Sequence, residues 1–157
     1  MGEVKRIAGA YDWAALLRLL QNSFAYMEGR IDPPSSLHAM SAQDIAEFAD
    51  AHAVVVIEEE GALAACVFLR DKPDALYLGK LAVSDAFRRR GFARRLVDFA
   101  EALAREKGRT HLELQTRIEL TENHAAFAKM GFVKTSEGRH PGFDRVTEIT
   151  MRKAVSR

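Results

Sequence analysis

Cysteine is the scarcest reactive residue in this chain of 157 amino acids, with Cys66 as its only example. An intramolecular disulfide is therefore excluded, which favours a reducing compartment, and we expect a cytoplasmic protein. No apolar run approaches the roughly 18 residues that a membrane-spanning helix needs, and the first residues lack the apolar core of a secretory signal. The sequence therefore predicts no membrane insertion and no membrane partner.

Several chemical signatures are also missing. Neither of the common glycine-rich nucleotide-binding motifs, GxxxxGK[ST] and GxGxxG, occurs in the sequence. His111 and Glu113 have the spacing that opens a zinc deaminase signature, but one cysteine cannot complete its PCxxC element. We therefore predict no metal site. Cys66 lies in an apolar strand pattern, and we interpret it as a core residue rather than a nucleophile.

The composition is that of a globular protein, with 48% hydrophobic and 29% charged residues. No internal repeat, low-complexity segment or linker divides the chain, so we expect one domain over residues 1–157. The net charge of +1 conceals an asymmetry, because residues 1–79 hold 6 Lys and Arg against 12 Asp and Glu, whereas residues 80–157 hold 17 against 10. The positive charge of the second half is densest in an arginine cluster formed by Arg88, Arg89, Arg90, Arg94 and Arg95. Two interpretations of this cluster stay open, a phosphate-binding site or a solvated surface turn.

Hydrophobic periodicity and turn residues predict an α/β protein with the element order βααβββαβαββ. Asp12 is placed to cap the first helix, and Ser41 with Asp44 forms a capping box for the second. The helix between strands 75–83 and 110–116 is a crossover, so these two strands are expected to run parallel. The remaining strands are expected at 3–8, 53–57, 62–70, 132–136 and 145–152, and the helices from 12 to about 29, 41 to 48, 91 to 107 and 121 to 130.

The most informative stretch joins the strand ending at Val83 to the helix that begins near Gly91. A helix N-terminus presents unpaired N–H groups and the positive end of the helix dipole, so it attracts anions. Gly91 and Ala93 have no long side chain that would block this backbone. The stretch therefore predicts an anion site formed mainly by backbone amides.

These residues resemble the GNAT acetyltransferase superfamily, whose acetyl-CoA loop has the pattern [QR]-x-x-G-x-[GA]. Arg88, Gly91 and Ala93 match that pattern. The later segment LTENHAAFAKMGF resembles the family's Asn-containing segment and its aromatic-x-x-x-Gly-Phe ending, with Phe127, Gly131 and Phe132 in register. The resemblance covers about residues 53–153 in detail and the first fifty only in element order. It implies a mostly antiparallel central sheet flanked by helices, with a splayed parallel strand pair at the cofactor site.

The resemblance also implies an acetyl-CoA-dependent N-acetyltransferase in which an amine of a small molecule or peptide attacks the thioester directly. The backbone of the last strand residues would bind the pantetheine arm, and the amides of the loop would bind the diphosphate. Asn123 would contact the cofactor arm, or it is an ordinary polar residue at a helix start. The implied cofactor-binding residues are Leu81, Ala82, Val83, Arg88, Arg89, Arg90, Gly91, Phe92, Ala93, Arg94, Asn123 and Phe127.

The sequence departs from the family at the position of its catalytic acid. Many members have a tyrosine where this chain has Phe127, and that tyrosine protonates the departing CoA thiolate. Tyr77 and Tyr26 are candidates to replace it, although a tyrosine in a strand or helix also suits a core position. Because a thiol has a pKa near 8.5, the thiolate can leave without an acid near neutral pH.

The general base is equally unassigned. Some members carry a carboxylate near the end of the strand before the loop, where this chain has Lys80. An amine with a pKa near 10.4 must lose a proton before it attacks, so a base or a water chain is required. Glu113 and Glu119, on and after strand 110–116, are candidates, and the alternative for Glu113 is a place on the polar face of that strand.

The acceptor amine is expected to contact the first two helices and their loop, at Tyr26, Arg30 and Asp32, and the closing hairpin at His140. Glu28 and Asp32 favour a cationic acceptor, unless they are solvated surface residues. Two other classes stay open, a non-catalytic acyl-CoA-binding or sensing module and a nucleic-acid-binding module that uses the arginine cluster. The chain lacks the aromatic interleaving of nucleic-acid-binding proteins, so we expect no nucleic-acid partner. Homodimer formation is left open.

Overall fold

A computed structural model describes residues 2–156, in which all seven strands form one sheet of order β1-β2-β3-β4-β5-β7-β6. The strands are β1 (Val4–Ile7), β2 (Ala53–Glu59), β3 (Ala62–Asp71), β4 (Ala75–Val83), β5 (His111–Arg117), β6 (Val133–Gly138) and β7 (Glu148–Ala154). The helices are α1 (Trp13–Ser23), α2 (Ala42–Ala51), α3 (Phe92–Glu106) and α4 (Thr121–Lys129), with short 3₁₀ turns at Ala25–Met27, Ser36–Ala39 and Asp85–Phe87. None of the helices within residues 2–156 has the length and apolarity of a membrane span.

The predicted element order and the predicted mixed sheet are confirmed. β4 and β5 form the parallel pair, and every other pair of neighbouring strands is antiparallel. Asp12 caps α1 by accepting a hydrogen bond from the Ala15 amide, and Ser41 and Asp44 form the reciprocal capping box of α2. Local helix-start signals therefore place both N-terminal helices correctly.

The structure corrects several predicted boundaries, the largest at the first helix, which ends at Ser23 rather than near residue 29. α4 begins at Thr121 and has Leu120 as its N-cap, so Thr121 does not cap the helix. β7 begins at Glu148 rather than at residue 145, because the preceding residues are held in the loop that contacts the 25–34 region. β2 continues to Glu59, because Glu60 and Gly61, with φ of 53° and 77°, complete the hairpin turn by themselves.

Helices cover both faces of the sheet and divide the core into two clusters. α3 packs on one face against residues such as Val55, Val67 and Leu112. α1 and α2 pack on the other face, where Leu16, Leu20, Ile45 and Val56 are fully buried. Truncation of such a leucine to alanine typically costs about 2–5 kcal/mol, so both clusters are needed to hold the strands in position.

Cys66 belongs to the cluster under α1 and α2, as the sequence predicts for a core residue. Its side chain has no exposed surface, and burial raises the pKa of its thiol to about 12. A thiol in this state is neither ionised nor accessible near neutral pH. It is therefore unsuited to act as a nucleophile.

Candidate functional site

β4 and β5 separate halfway along their length. Their pairing runs only from Ala75 to Leu78 on β4 and from His111 to Leu114 on β5. Beyond these residues, β4 stays paired with β3, and β5 stays paired with β7. A gap therefore opens between the two parallel strands toward their carboxyl ends.

A β-bulge in β4 lies at the start of this gap. Between Phe68 and Cys66, β3 advances by two residues, while the opposing β4 advances by three, from Gly79 to Ala82. Lys80 accommodates the extra residue with a left-handed backbone, at φ of 51°. A bulge bends its strand and increases its twist, which turns the end of β4 away from β5.

The gap contains a cavity of about 340 Å³. Its walls include Leu81 of β4, Gln115 and Thr116 of β5, and Asn123 and Phe127 of α4. Leu81 has no partner in the β3 ladder, whereas Ala82 and Val83 lie opposite Cys66 and Ala65. Because the pairing of β4 with β5 ends at Leu78, the edge of β4 that faces the gap has no neighbouring strand beyond that residue and is available to an extended ligand.

The N-terminus of α3 follows directly after β4. Gly91 is its N-cap, with φ of 79°, and no side chain caps this helix end, in contrast to α1 and α2. The first backbone hydrogen bond into the helix runs from the Arg95 amide to the Gly91 carbonyl, at 3.0 Å. The preceding amides, which have no intrahelical acceptor, and the positive dipole end fit a diphosphate.

The arginine cluster is divided by the fold. Arg88, Arg89 and Arg90 are exposed at the helix start, and Arg88 also contacts Asp85 at 3.0 Å. Arg94 lies on the first turn and faces Asp98, at 3.5 Å. Arg95 instead donates to the carbonyl of Gly2. The loop side chains can therefore add positive charge beside the amides, whereas Arg95 fastens α3 to the chain's first described residues.

The N-terminal half crosses the gap through residues 25–34, which we call the 25–34 segment. The Tyr26 hydroxyl accepts a hydrogen bond from the Asn123 amide nitrogen of α4, at 3.0 Å. The Arg30 guanidinium donates to both carboxylate oxygens of Glu122, at 2.6 and 2.9 Å. These hydrogen bonds lower the pKa of Glu122 to about 2, so the pair stays ionised at neutral pH.

The far end of the segment is fixed to the closing hairpin and to β5. Arg145 donates to the carbonyl and the carboxylate of Asp32, at 3.1 and 3.5 Å. Arg117, at the end of β5, donates to the Pro33 and Pro34 carbonyls, at 2.6 and 3.3 Å. The expected acceptor residues Tyr26, Arg30 and Asp32 therefore contact α4 and the closing hairpin, but none of the three lines the cavity itself.

His140 and Glu148 line the same cavity from the closing hairpin. The His140 Nδ1 atom lies 2.5 Å from the Thr147 hydroxyl oxygen, which also accepts the His140 backbone amide at 2.9 Å. Glu148, at the start of β7, forms no ion pair with any residue between 2 and 156. Sequence analysis missed Glu148, because only the pairing of β7 with β5 places it beside the gap.

Glu113 lies in the paired part of β4 and β5 rather than in the gap. Its side chain is 8% exposed and contacts Lys72 and, at 3.0 Å, Arg152. Burial would raise the pKa of Glu113, but the hydrogen bonds from these two cations outweigh it and lower the pKa. A carboxylate held between two cations is a poor proton acceptor, so this geometry favours a structural role for Glu113.

Two further arrangements bear on the sequence predictions. The ring of Phe127 packs edge-on against Phe132, with centroids 5.9 Å apart, and it borders the gap without a polar atom. Across the part of the chain that the structure describes, no group of three or more His, Cys, Asp and Glu side chains is arranged to hold a metal ion.

Comparison with known proteins identifies the class. The model of the acetyltransferase (GNAT) family matches residues 13–132, and the chain therefore belongs to this family. It is an acyltransferase, and acetyl-CoA is its co-substrate. A comparison with curated proteins finds no match.

Solved structures share the fold at low sequence identity. The ribosomal-protein-S18-alanine N-acetyltransferase from Escherichia coli is 19% identical, with a TM-score of 0.73 over 100% of this chain and 96% of that chain. A putative GNAT acetyltransferase from Desulfovibrio desulfuricans is 16% identical, with a TM-score of 0.80 over 99% and 100%. PaiA N-acetyltransferase from Thermoplasma acidophilum, solved in complex with coenzyme A, is 13% identical, with a TM-score of 0.79 over 98% and 99%.

The first prediction concerns the amides at the start of α3. Gly91→Glu is expected to weaken coenzyme A binding by about tenfold or more, because its side chain blocks the backbone and its charge repels phosphate. Gly108→Glu is the matched control, since Gly108 also has positive φ, at 74°, and open space around its Cβ position but lies at the other end of the helix. Isothermal titration with coenzyme A measures both. Arg88→Ala should cause a smaller loss, and a loss as large as that of Gly91→Glu would show that side chains dominate.

The second prediction concerns Glu113. Because its pKa is lowered in the folded protein, its contribution to stability is present above the unfolded pKa near 4.3 and lost as the pH falls through the folded pKa. Glu113→Gln should lower the free energy of unfolding by about 1–3 kcal/mol at pH 7, and the difference should narrow below about pH 4. Urea denaturation measures this, with Asp74→Asn, which removes only the exposed partner of Arg152, as the milder control. If the pH dependence of the acetyl-transfer rate shifts in Glu113→Gln, Glu113 acts as the general base and its role is not only structural.

Proposed function

We propose that this protein transfers the acetyl group of acetyl-CoA to an amine of a small molecule or peptide by direct attack. The observation that carries the proposal is the gap between β4 and β5. Leu81, in the strand that leads to the α3 N-terminus, lines its cavity on one side, and Glu148 and His140 of the closing hairpin line it on another. A thioester and an amine can therefore meet in one place, each reached from its own side.

The co-substrate would be held mainly by backbone. The amides of residues 89–94 bind the diphosphate, with Arg88 adding charge, and the strand residues Leu81, Ala82 and Val83 lie along the pantetheine arm. Asn123 borders the cavity from α4 and contacts the arm near its thiol end. The uncapped start of α3 and the edge of β4 left unpaired by β5 beyond Leu78 support this placement.

Direct attack is supported by the state of the only cysteine. Cys66 is fully buried and its pKa is raised to about 12, so it is not suited to form an acyl-enzyme. In the direct reaction, the amine nitrogen bonds to the thioester carbonyl carbon and the carbon–sulfur bond breaks. The nitrogen loses a proton and the departing sulfur gains one, so the products are an amide and the CoA thiol.

We assign the proton from the amine to Glu148. Its carboxylate borders the cavity and is not neutralised by any described cation, so it can hold the ammonium form and accept the proton on the way to attack. His140 lines the same cavity, is oriented by Thr147, and can pass the proton onward to solvent. Glu113 takes no part in this assignment.

We assign the proton for the CoA sulfur to Tyr26. Its oxygen accepts a hydrogen bond from Asn123, so its own hydrogen stays free to be donated, and the bond stabilises the phenolate that forms. Tyr77 is the weaker candidate, because its hydroxyl donates toward the side-chain oxygen of Gln115, at 3.4 Å. Tyr26 thus supplies, from the 25–34 segment, the hydroxyl that Phe127 lacks on α4.

The function itself is tested by CoA release. Purified protein with acetyl-CoA and a broad panel of primary amines should release thiol in proportion to acetylated amine, and mass spectrometry should find no acetylated protein when the amine is omitted. Acetyl-CoA binding without turnover on any amine would favour the sensing module, and a salt-dependent complex with DNA or RNA would favour the nucleic-acid module. We propose a cytoplasmic setting, which a single cysteine without a disulfide partner favours. The oligomeric state can be measured on the same sample.

The mechanism gives a third prediction, for Tyr26. Tyr26→Phe should lower the single-turnover rate by about tenfold, less than a typical general acid contributes, because thiolate is a tolerable leaving group. Phe127→Tyr should preserve the rate, and the double variant should recover much of the loss by supplying a hydroxyl from α4. Tyr26→Phe keeps the ring beside Arg30, so the 25–34 segment stays in place. If the Tyr26→Phe variant keeps the full single-turnover rate, Tyr26 is not the proton donor to the CoA sulfur.

A further inference from the structure

A second cavity adjoins the gap on the sheet face that α2 covers. It has a volume of about 380 Å³ and lies between α2, β3 and β4, and we call it the α2 cavity. Tyr77, Gly79 and Lys80 line both the α2 cavity and the gap. A molecule that places one end in the gap can therefore extend along β4 into the α2 cavity.

Most of the α2 cavity is apolar and aromatic. Phe48 of α2 packs on Phe68 of β3, with ring centroids 5.1 Å apart, and on His52, at 4.8 Å. Met40 and Tyr77 complete these walls. Such a lining is suited to the flat or aliphatic body of a small molecule.

The charged groups of the α2 cavity are all basic. Arg70 and Lys80 line it, and no aspartate or glutamate does. The Arg70 guanidinium stacks over the Tyr77 ring, at 5.1 Å from its centroid, and neither cation has an ion-pair partner within residues 2–156. Lys72 also lies near that ring, at 5.6 Å, but its charge is neutralised by Glu113.

Lys80 is held in this position by the bulge and is half-buried. Desolvation lowers the pKa of its ammonium group, and no carboxylate counters the effect. A partly buried cation without a partner is stabilised when an anion binds beside it. The nearby carboxylates do not fill this role, because Glu113 is bound by two cations and Glu148 borders the gap rather than the α2 cavity.

We propose that the α2 cavity binds an anionic group, a carboxylate or a phosphate, on the acceptor amine, with Arg70 and Lys80 as its ligands. The acceptor is then a zwitterionic small molecule with an apolar or aromatic body, whose amino group lies in the gap near Glu148. This inference rests on the proposed acetyl transfer. It replaces the expectation of a cationic acceptor, because Glu28 faces His38 and Asp32 faces Arg145, each at 3.5 Å.

The test compares amines that differ only in the anionic group. 4-(2-Aminoethyl)benzoate against phenethylamine tests the carboxylate, and tyramine O-phosphate against tyramine tests the phosphate, since each anionic member has its amine and its anion at opposite ends of an aromatic body. In at least one class, kcat/KM for the anionic member should exceed that of its partner by about tenfold or more, as expected for a charge-assisted contact. Lys80→Met keeps the side-chain length, and methionine must adopt the same left-handed backbone as lysine does here. This variant should reduce the ratio of the two kcat/KM values toward one.

Lys72→Met is the matched control, since Lys72 lies over the same ring but is already paired, and the ratio should survive in this variant. Equal rates within every pair, or an equal loss on both members in Lys80→Met, would overturn the proposal. If no amine is acetylated although acetyl-CoA binds, the proposed function fails by itself. Titration of the same amine pairs into the CoA-bound protein then tests whether the α2 cavity binds an anionic group. The proposal predicts tighter binding of the anionic member in at least one pair, and equal binding in every pair would contradict it.

Discussion

One extra residue in β4 determines how the two halves of the sheet meet. Lys80 takes a left-handed backbone to accommodate it, at a cost of about 1–2 kcal/mol for a residue with a side chain. The apolar residues before the bulge, Leu76 and Leu78, and those after it, Leu81 and Val83, all pack with the cluster under α3. The core thus stays continuous while the strand turns away from β5. Local strain of this kind is typical of functional sites, where the surrounding packing maintains it.

The separation of β4 from β5 then gives each substrate its own side. The co-substrate site is built from backbone, at Leu81 and at the uncapped start of α3, and it needs few particular side chains. The acceptor side is built from side chains of distant segments, which the ion pairs of Arg30 with Glu122 and of Arg145 with Asp32 hold together. A site built from backbone suits a co-substrate that does not change. The side chains of the acceptor side can vary with the acceptor, so the substrate specificity of this chain is expected to depend on them.

Signals that are local in sequence were sufficient for the element order, the caps of α1 and α2, and the loop at Gly91. Each of these depends on a few consecutive residues whose physical role is fixed by backbone geometry. The bulge at Lys80 was missed, although its signal is present. The apolar alternation of β4 steps by three between Leu78 and Leu81, and the strand contains Gly79, which is typical of a bulge.

The rest depended on contacts between distant segments. The sequence left Glu113 as a candidate base or a polar-face residue, because its burial between Lys72 and Arg152 arises only when the β3–β4 turn, β5 and β7 assemble. The contact of Tyr26 with Asn123 joins residues 97 positions apart, and no periodicity indicates it. The unpaired charges of Arg70 and Lys80 likewise become visible only once the surrounding carboxylates are seen to be engaged elsewhere.

The central claim is that the gap beside the bulge, together with the start of α3, holds acetyl-CoA. Hydrogen–deuterium exchange of the full chain with and without acetyl-CoA tests it most directly, because it reports backbone amides at both places. The account predicts slower exchange at residues 79–83 and 89–94 when acetyl-CoA is bound, and little change in the antiparallel pair of β1 and β2. Saturating acetyl-CoA that leaves exchange at residues 79–83 unchanged, or that protects a different edge of the sheet, would contradict the account.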